Sequence, residues 1–175
     1  MSTIYVWEAA NLFCGDHDPT KSKHLVIQEL KLPTMQENFQ DHTPGGGPVG
    51  VEFGTHINKF EPTFKFIGED PDLMTQFGLG TRLRQIYTAY SVVVDRRTSR
   101  RIERKAIIEA RLGKIEPDAF KRGEVLGVDY ALNEVMHYEV WFDGDRKIYW
   151  DFFENDWVVG PRSENAEANR ILRIR

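Results

Sequence analysis

Along most of the chain, hydrophobic and polar side chains alternate with a period of two, the pattern of strands with one buried face. In "IERKAIIEARL" (residues 102–112), Ile102, Ala106, Ile108, Ala110 and Leu112 fall on one side, with Arg104 as the exception. Glu103, Lys105, Glu109 and Arg111 fall on the other. The preceding "QIYTAYSVVVD" (85–95) is β-branched or aromatic on both sides, which predicts a strand covered on both faces. Between them "RRTSRR" reads as a charged hairpin tip, so a long antiparallel ribbon is expected from about 82 to 115. In "VDYALNEVMHYEVWF" (128–142), Val128, Tyr130, Leu132, Met136, Tyr138, Val140 and Phe142 point inward, interrupted at Glu134. Asp143–Gly144 then turns the chain into "KIYWDFF", a strong hairpin signal.

Shorter strands are predicted in "STIYVWE", "KHLVIQELKL", "TMQENFQ" and "KFEPTFKFI", where Pro62 marks an edge or a bulge. Helices are few. "DPDLMTQFG" offers Asp70 as N-cap, Pro71 at the first helical position, Leu73, Met74 and Phe77 on one face, and Gly78 as a stop. "SENAEANRILRIR" begins with Glu164 and Glu167 and ends with Arg170, Arg173 and Arg175, the order a helix dipole favours. Ala168, Ile171 and Leu172 give that helix a narrow apolar stripe. The expected fold is mainly β: two packed antiparallel sheets closing toward a β-barrel, with one flanking helix and a C-terminal helix. One domain accounts for residues 1–175, with an extended loop at about 40–58.

Composition adds little against this picture. Aromatic residues make up 12% of the chain, which suits a β-rich core, and no apolar run approaches bilayer length. No basic leader opens the chain, which predicts a protein made and used in a cytoplasm. Cys14 is the only cysteine, so no internal disulfide is possible, and a packing role is expected for it. A net charge of −4 argues against a chain built to grip nucleic acid.

Candidate chemistry is sparse. Three glycines, Gly45, Gly46 and Gly47, sit between Pro44 and Pro48 in "PGGGPVGVEFG". A phosphate loop needs a lysine and a hydroxyl after its glycines; Val51 and Glu52 stand there instead, and a carboxylate repels phosphate. "GLGTR" (78–82) closes a helix and opens a strand, the reverse of a dinucleotide turn. Cys14 and His17 form a bare C-x-x-H without a second pair, so no metal or other cofactor is expected. Arg96, Arg97, Arg100 and Arg101, with Arg104 and Lys105 beyond, form a basic cluster. Acids interleave and no aromatic is placed to stack on bases, so a solvated tip or a salt-bridged protein contact is preferred to nucleic-acid binding. Nothing points to an enzyme. A small β-barrel binding sugar or nucleic acid through exposed aromatics is the alternative class; however, Tyr87, Tyr90, Tyr130 and Tyr138 fall mostly at inward positions.

Three stretches together resemble the major tail tube protein of contractile-tailed phages, a group that includes the tubes of R-type pyocins. They are "NLF" (11–13), "LPTMQENFQDHTPGGG" (32–47) and the region 123–156, in which a long strand meets the Asp143–Gly144 turn and then Ile148, Asp151 and Asn155. The similarity runs from about Ile4 to Leu172. The chain departs from the family pattern at "VVGPRSENAEA", just before the last helix.

The resemblance implies a structural protein of the inner tail tube, whose subunits form hexameric rings that stack inside a contractile sheath. Alternatives on the same fold are the tube of an R-type bacteriocin or a type VI secretion-like system, or a tail terminator or baseplate-proximal piece. Implied partners are further copies of the chain, the sheath, the tape measure protein, and baseplate and terminator proteins, with no membrane. DNA is implied only as non-specific cargo in the lumen. The implied location is a virion tail assembled in the bacterial cytoplasm. On this reading Pro44, Gly45, Gly46, Gly47, Pro48 and Glu52, with Arg96, Arg97, Arg100 and Arg101, are candidates for contacts between subunits. Glu37, Asp41, Asp129 and Glu134 are candidates for a lumen wall whose acidity lets DNA slide.

Overall fold

The computed structural model describes residues 2–78 and 83–174. Its elements are β1 (Tyr5–Cys14), β2 (Ile27–Lys31), β3 (Glu37–His42), β4 (Val51–Ile57), β5 (Thr63–Ile67), α1 (Pro71–Met74), β6 (Gln85–Asp95), β7 (Arg101–Pro117), β8 (Gly127–Phe142), β9 (Asp145–Asp151), β10 (Asp156–Val159), β11 (Arg162–Ser163) and α2 (Ala166–Leu172). Nine strands form one antiparallel sheet in the order β1-β6-β7-β8-β9-β10-β11, with β5 on β8 and β2 on β5. β3 and β4 form a separate two-stranded hairpin, hereafter the arm. The large sheet does not close into a barrel: β1 stands at one end of its order and β11 at the other.

The expected ribbon is present, with β6 paired to β7 from Gln85–Ala110 to Val94–Arg101. Alternation decides which side is buried. Ile102, Ala106, Ile108, Ala110 and Leu112 of β7 face the core beside Tyr87, Ala89 and Val93 of β6 and Tyr138 and Val140 of β8. On the opposite face of β6, Thr88 and Val94 are also buried while Ile86 stays 48% exposed, so the second face is covered in part. Phe64 and Phe66 of β5 fold over this layer, and the Phe64 ring stacks on Tyr130 with centroids 5.1 Å apart. Arg104, the exception in the β7 pattern, sits at the rim of the core face with its guanidinium 4.6 Å from the Trp7 ring centroid. Burial lowers its pKa from the ordinary arginine value.

Strand β8 is the hinge of the architecture. Its first half pairs with β5 (Gly127–Ala131) and its second half pairs with β9 along the same edge (His137–Phe142). Between them Glu134 adopts a left-handed φ of 50°, and the register on β7 slips between Glu109 and Arg111 and again between Leu112 and Lys114. A bulge of this kind bends a strand and redirects its side chains. Gly113 faces this corner: a Cβ there would lie 2.1 Å from Asn133 Oδ1. Asp143 and Gly144 take φ of 53° and 82°, the conformation a two-residue hairpin turn with two left-handed residues requires.

Several expectations are corrected. The stretch 40–58 is not a loop but mostly β3 and β4, with only residues 43–50 as its turn. Met136, expected inward, is only half-buried, because two extra β8 residues at the bulge bring Val135 to the core instead. Asp70 caps α1 by accepting from the amides of Asp72 and Leu73, as expected, yet only Leu73 of its predicted apolar face is buried. Met74 and Phe77 remain 40% and 49% exposed, because the helix ends after one turn. α2 buries no residue, so its Ile171–Leu172 stripe does not dock.

Candidate functional site

The arm leaves the body where β8 exchanges β5 for β9. Lys31 pairs with Thr63, Thr63 with Ala131, and the amide of Leu132 donates to Pro62 O. A crevice of about 420 Å³ lined by Ile57, Phe60, Val135, Trp150 and Trp157 lies at its root. Beyond Asn58 every residue of β3 and all but the last of β4 is exposed.

Period-two pairing gives the arm two unlike faces. Phe39 opposes Gly54 and Asp41 opposes Glu52, with Glu37 two residues before Phe39 on the same side. A Cβ at Gly54 would lie 3.5 Å from Glu37 Oε2 and 3.6 Å from the Phe39 ring, which places all three on one face. That face therefore carries Glu37, Phe39, Asp41 and Glu52, and none of the three acids has an ion-pair partner among the described residues. Like charges directly across a two-stranded ladder destabilise it. The opposite face carries His42, Val51 and Phe53, with the His42 and Phe53 rings 5.8 Å apart.

The glycines sit at the arm's tip. Neither Gly45 nor Gly46 has a left-handed φ, and a Cβ on either would meet nothing within 4 Å. Gly47 has an internal reason: its Cβ would lie 2.9 Å from Pro44 Cγ. Among the described residues no close contact calls for glycine at 45 or 46. A phosphate cradle finds no support in this setting, since Asp41 and Glu52 flank the turn.

The basic cluster is a rigid turn between β6 and β7. Asp95 accepts from the backbone amides of Arg97 and Thr98 and from the hydroxyl of Thr3, and Ser99 takes a left-handed φ of 59°. Those bonds, Thr3 first and then Arg97, hold the Asp95 carboxyl down to about 2. Arg100 Nη2 lies 2.9 Å from both oxygens of Asp143, and Arg101 Nε lies 3.0 Å from Glu8 Oε2. Arg100 and Arg101 are thus paired within the chain. Arg96 and Arg97 have no carboxylate partner among the described residues.

The four acids proposed for a lumen wall divide in the same way. Glu37 and Asp41 are exposed on the arm. Asp129 lies 3.0 Å from Lys65 Nζ. Glu134, turned outward by the bulge, takes a bond from Arg111 Nη1 at 3.1 Å and one from Arg84 Nη1 at 3.1 Å. The Arg111 bond, with that of Arg84 behind it, holds its carboxyl below the ordinary range. Its break in the hydrophobic pattern is the signature of this corner.

Ile148, Asp151 and Asn155 have separable tasks. Ile148 packs against the core. Asp151 Oδ1 accepts from the amides of Phe153 and Glu154, each at 2.9 Å, while its Oδ2 lies 3.0 Å from His137 Nδ1. The other ring nitrogen of His137 lies 3.0 Å from Glu139 Oε1, and Trp141 Nε1 donates to Glu139 Oε2. Asn155, at a left-handed φ of 49°, donates to Asn169 Oδ1, and its carbonyl accepts from the side-chain amides of Asn165 and Asn169. α2 is thus tied to the body by asparagines rather than by its apolar stripe, across the segment where the chain departs from the family pattern. His17 packs on Phe13 and Tyr90, and burial first of all pushes the Cys14 thiol up to about 12. Of "GLGTR", residues 79–82 lie outside the described residues.

The side chains gathered here pair charges, anchor turns and present uncovered strands. Among the described residues no helix is long and apolar enough to cross a membrane. In fold, the chain is similar to a chain of the anti-feeding prophage baseplate at 13% identity, with a TM-score of 0.57 over 81% of this chain and 97% of that one. It is also similar to a chain of the sheath–tube complex of an extracellular contractile injection system (PVC) in its extended state. There the identity is 9% and the TM-score 0.50, over 73% of this chain and 86% of that one. No curated protein matches it in sequence. The sequence profile of phage tail tube protein FII matches residues 18–172, which takes in the arm, the ribbon, the β8 corner and α2. The chain belongs to the phage tail tube protein FII family and is a structural protein of a tail tube.

Proposed function

We propose that the chain builds the inner tube of a contractile tail by closing into hexameric rings that stack around a lumen. The carrying observation is the arm together with the open sheet: two strands with almost every side chain exposed, and a nine-stranded sheet ending on β1 and β11. An isolated two-stranded hairpin is marginal in water, and open strand edges invite pairing, so both features suit a subunit completed by its neighbours. A cyclic ring uses one such contact repeatedly, and stacking uses a second. Contacts through Pro44–Pro48 and Glu52, and through the arginine turn 96–101, fit this scheme.

The assemblies of the two similar structures, a six-fold symmetrised baseplate and a sheath–tube complex, support six copies per ring and the sheath and baseplate as outer partners. A tail terminator would cap the far end. The lumen would hold the tape measure protein and then pass DNA, with no sequence-specific contact. A chain of net charge −4 suits that passage, because a basic wall would hold DNA by counterion release at each ring. Asp129 and Glu134 would contribute little repulsion, since Lys65 and Arg84 with Arg111 already compensate them. The product would be part of a virion tail, assembled in the bacterial cytoplasm without enzymatic activity of its own. Negative-stain electron microscopy of the purified chain tests this: hollow tubes of stacked rings are expected, and a monomer at every concentration would overturn it.

A further inference from the structure

We infer that the acidic face of the arm docks on the β6–β7 arginine turn of a second copy of the chain, through Arg96 and Arg97. The inference rests on the self-assembly reading above and names the partner of the arm within it. It assigns Glu37 and Asp41 to a contact between copies rather than to the channel wall.

Glu37, Asp41 and Glu52 lie on one face with Phe39, and no cation among the described residues pairs with them. Phe39 is 53% exposed. Three carboxylates around an aromatic ring match guanidinium groups better than ammonium groups, because a guanidinium pairs with carboxylates in its plane and stacks on a ring with its face. The chain itself shows this use of arginine, with Arg104 over Trp7 at 4.6 Å and Arg146 over Tyr149 at 4.4 Å. The turn that carries Arg96 and Arg97 is built to present them. Asp95 fixes its backbone, and Arg100 and Arg101 are occupied by Asp143 and Glu8. The two unpaired arginines and the three unpaired acids then complete one another. The like-charge opposition of Asp41 and Glu52, unfavourable in a lone subunit, is relieved only when a cation arrives. Gly45 and Gly46 at the tip leave the backbone free to lie close to the neighbour.

A charge-swap experiment on the full chain tests the pairing. Glu37→Lys/Asp41→Lys/Glu52→Lys forms one variant, Arg96→Glu/Arg97→Glu a second, and all five changes together a third. All five positions are exposed, and circular dichroism with sedimentation checks that each variant folds. Each partial variant is expected to raise the critical concentration for tube formation roughly tenfold or more. The five-fold variant, or an equimolar mixture of the two partial ones, is expected to recover most of that loss. Partial variants that polymerise like the unmodified chain overturn the pairing, including the case in which the acidic face serves a different protein. A folded five-fold variant without recovery overturns it as well. An unmodified chain that forms no tubes overturns both this inference and the proposed function, which separates the two failures.

Discussion

The ribbon β6–β7 with β8 and the arm β3–β4 are both antiparallel β-structure, yet the first buries its side chains within the chain and the second leaves them exposed. In the ribbon, Tyr87, Ile108, Tyr138 and their neighbours are almost completely buried, and alternation in the sequence maps onto inside and outside. In the arm, Phe39 and Phe53 are 53% and 58% exposed, and Ile57 alone, at its root, packs against the core among the described residues. Burial of apolar surface drives folding of the first; the second gains almost nothing from it within one chain. The contrast teaches that strand pattern alone does not say whose core a strand serves.

The comparison breaks most visibly when one substitution is made in both regions. Phe66→Ala, in a ring 1% exposed, is expected to cost about 3–5 kcal/mol of unfolding free energy, whereas Phe53→Ala should change it by less than about 0.5 kcal/mol. Chemical denaturation reads both, and similar losses would deny the distinction. Next comes Asp70, which caps α1 and pairs with Lys23, both side chains being mostly buried. Asp70→Ala should cost about 2–4 kcal/mol, since it removes a cap and leaves Lys23 without its partner.

A smaller effect is expected at the arginine turn. The folded pKa of Asp95, about 2, lies below its ordinary 3.8, so the unfolded chain takes up the proton first. The stability it adds is complete above about pH 4 and is lost as pH falls through about 2. Unfolding midpoints at pH 5 and pH 2.5 should therefore differ less in Asp95→Asn than in the unmodified chain; an equal difference would contradict the turn's geometry. Last, burial raises the Cys14 thiol above its ordinary value, so a thiol reagent at pH 8 should label it much more slowly in the folded chain than in the unfolded one.

What could be read from the residues follows the same division. The ribbon, β8 and the Asp143–Gly144 turn were legible because a buried face writes its period into the sequence. Asp70 and Pro71 announced α1, but not that its helix would stop after one turn with Phe77 outside. β4 was missed although Val51, Phe53, Thr55 and Ile57 alternate, because glycines flank them and the strand has no buried face to sharpen the signal. β10 and β11, of four and two residues, are too short for a period to show. Glu134 was visible as an interruption, but its arginine partners lie 23 and 50 residues away in sequence, and only the folded sheet brings them together. The acids of the arm were visible one by one. Their gathering around Phe39 depends on the β3–β4 register, which a bulge between Asn38 and Phe39 resets.

The central claim is that the body folds the subunit while the arm joins subunits. Gly45→Val/Gly46→Val tests it most directly, because a Cβ at either position meets no described residue within 4 Å. The account predicts an unfolding midpoint unchanged from the unmodified protein and a loss of tubes by electron microscopy of the same preparation. Tubes of ordinary length and abundance from this variant would contradict it.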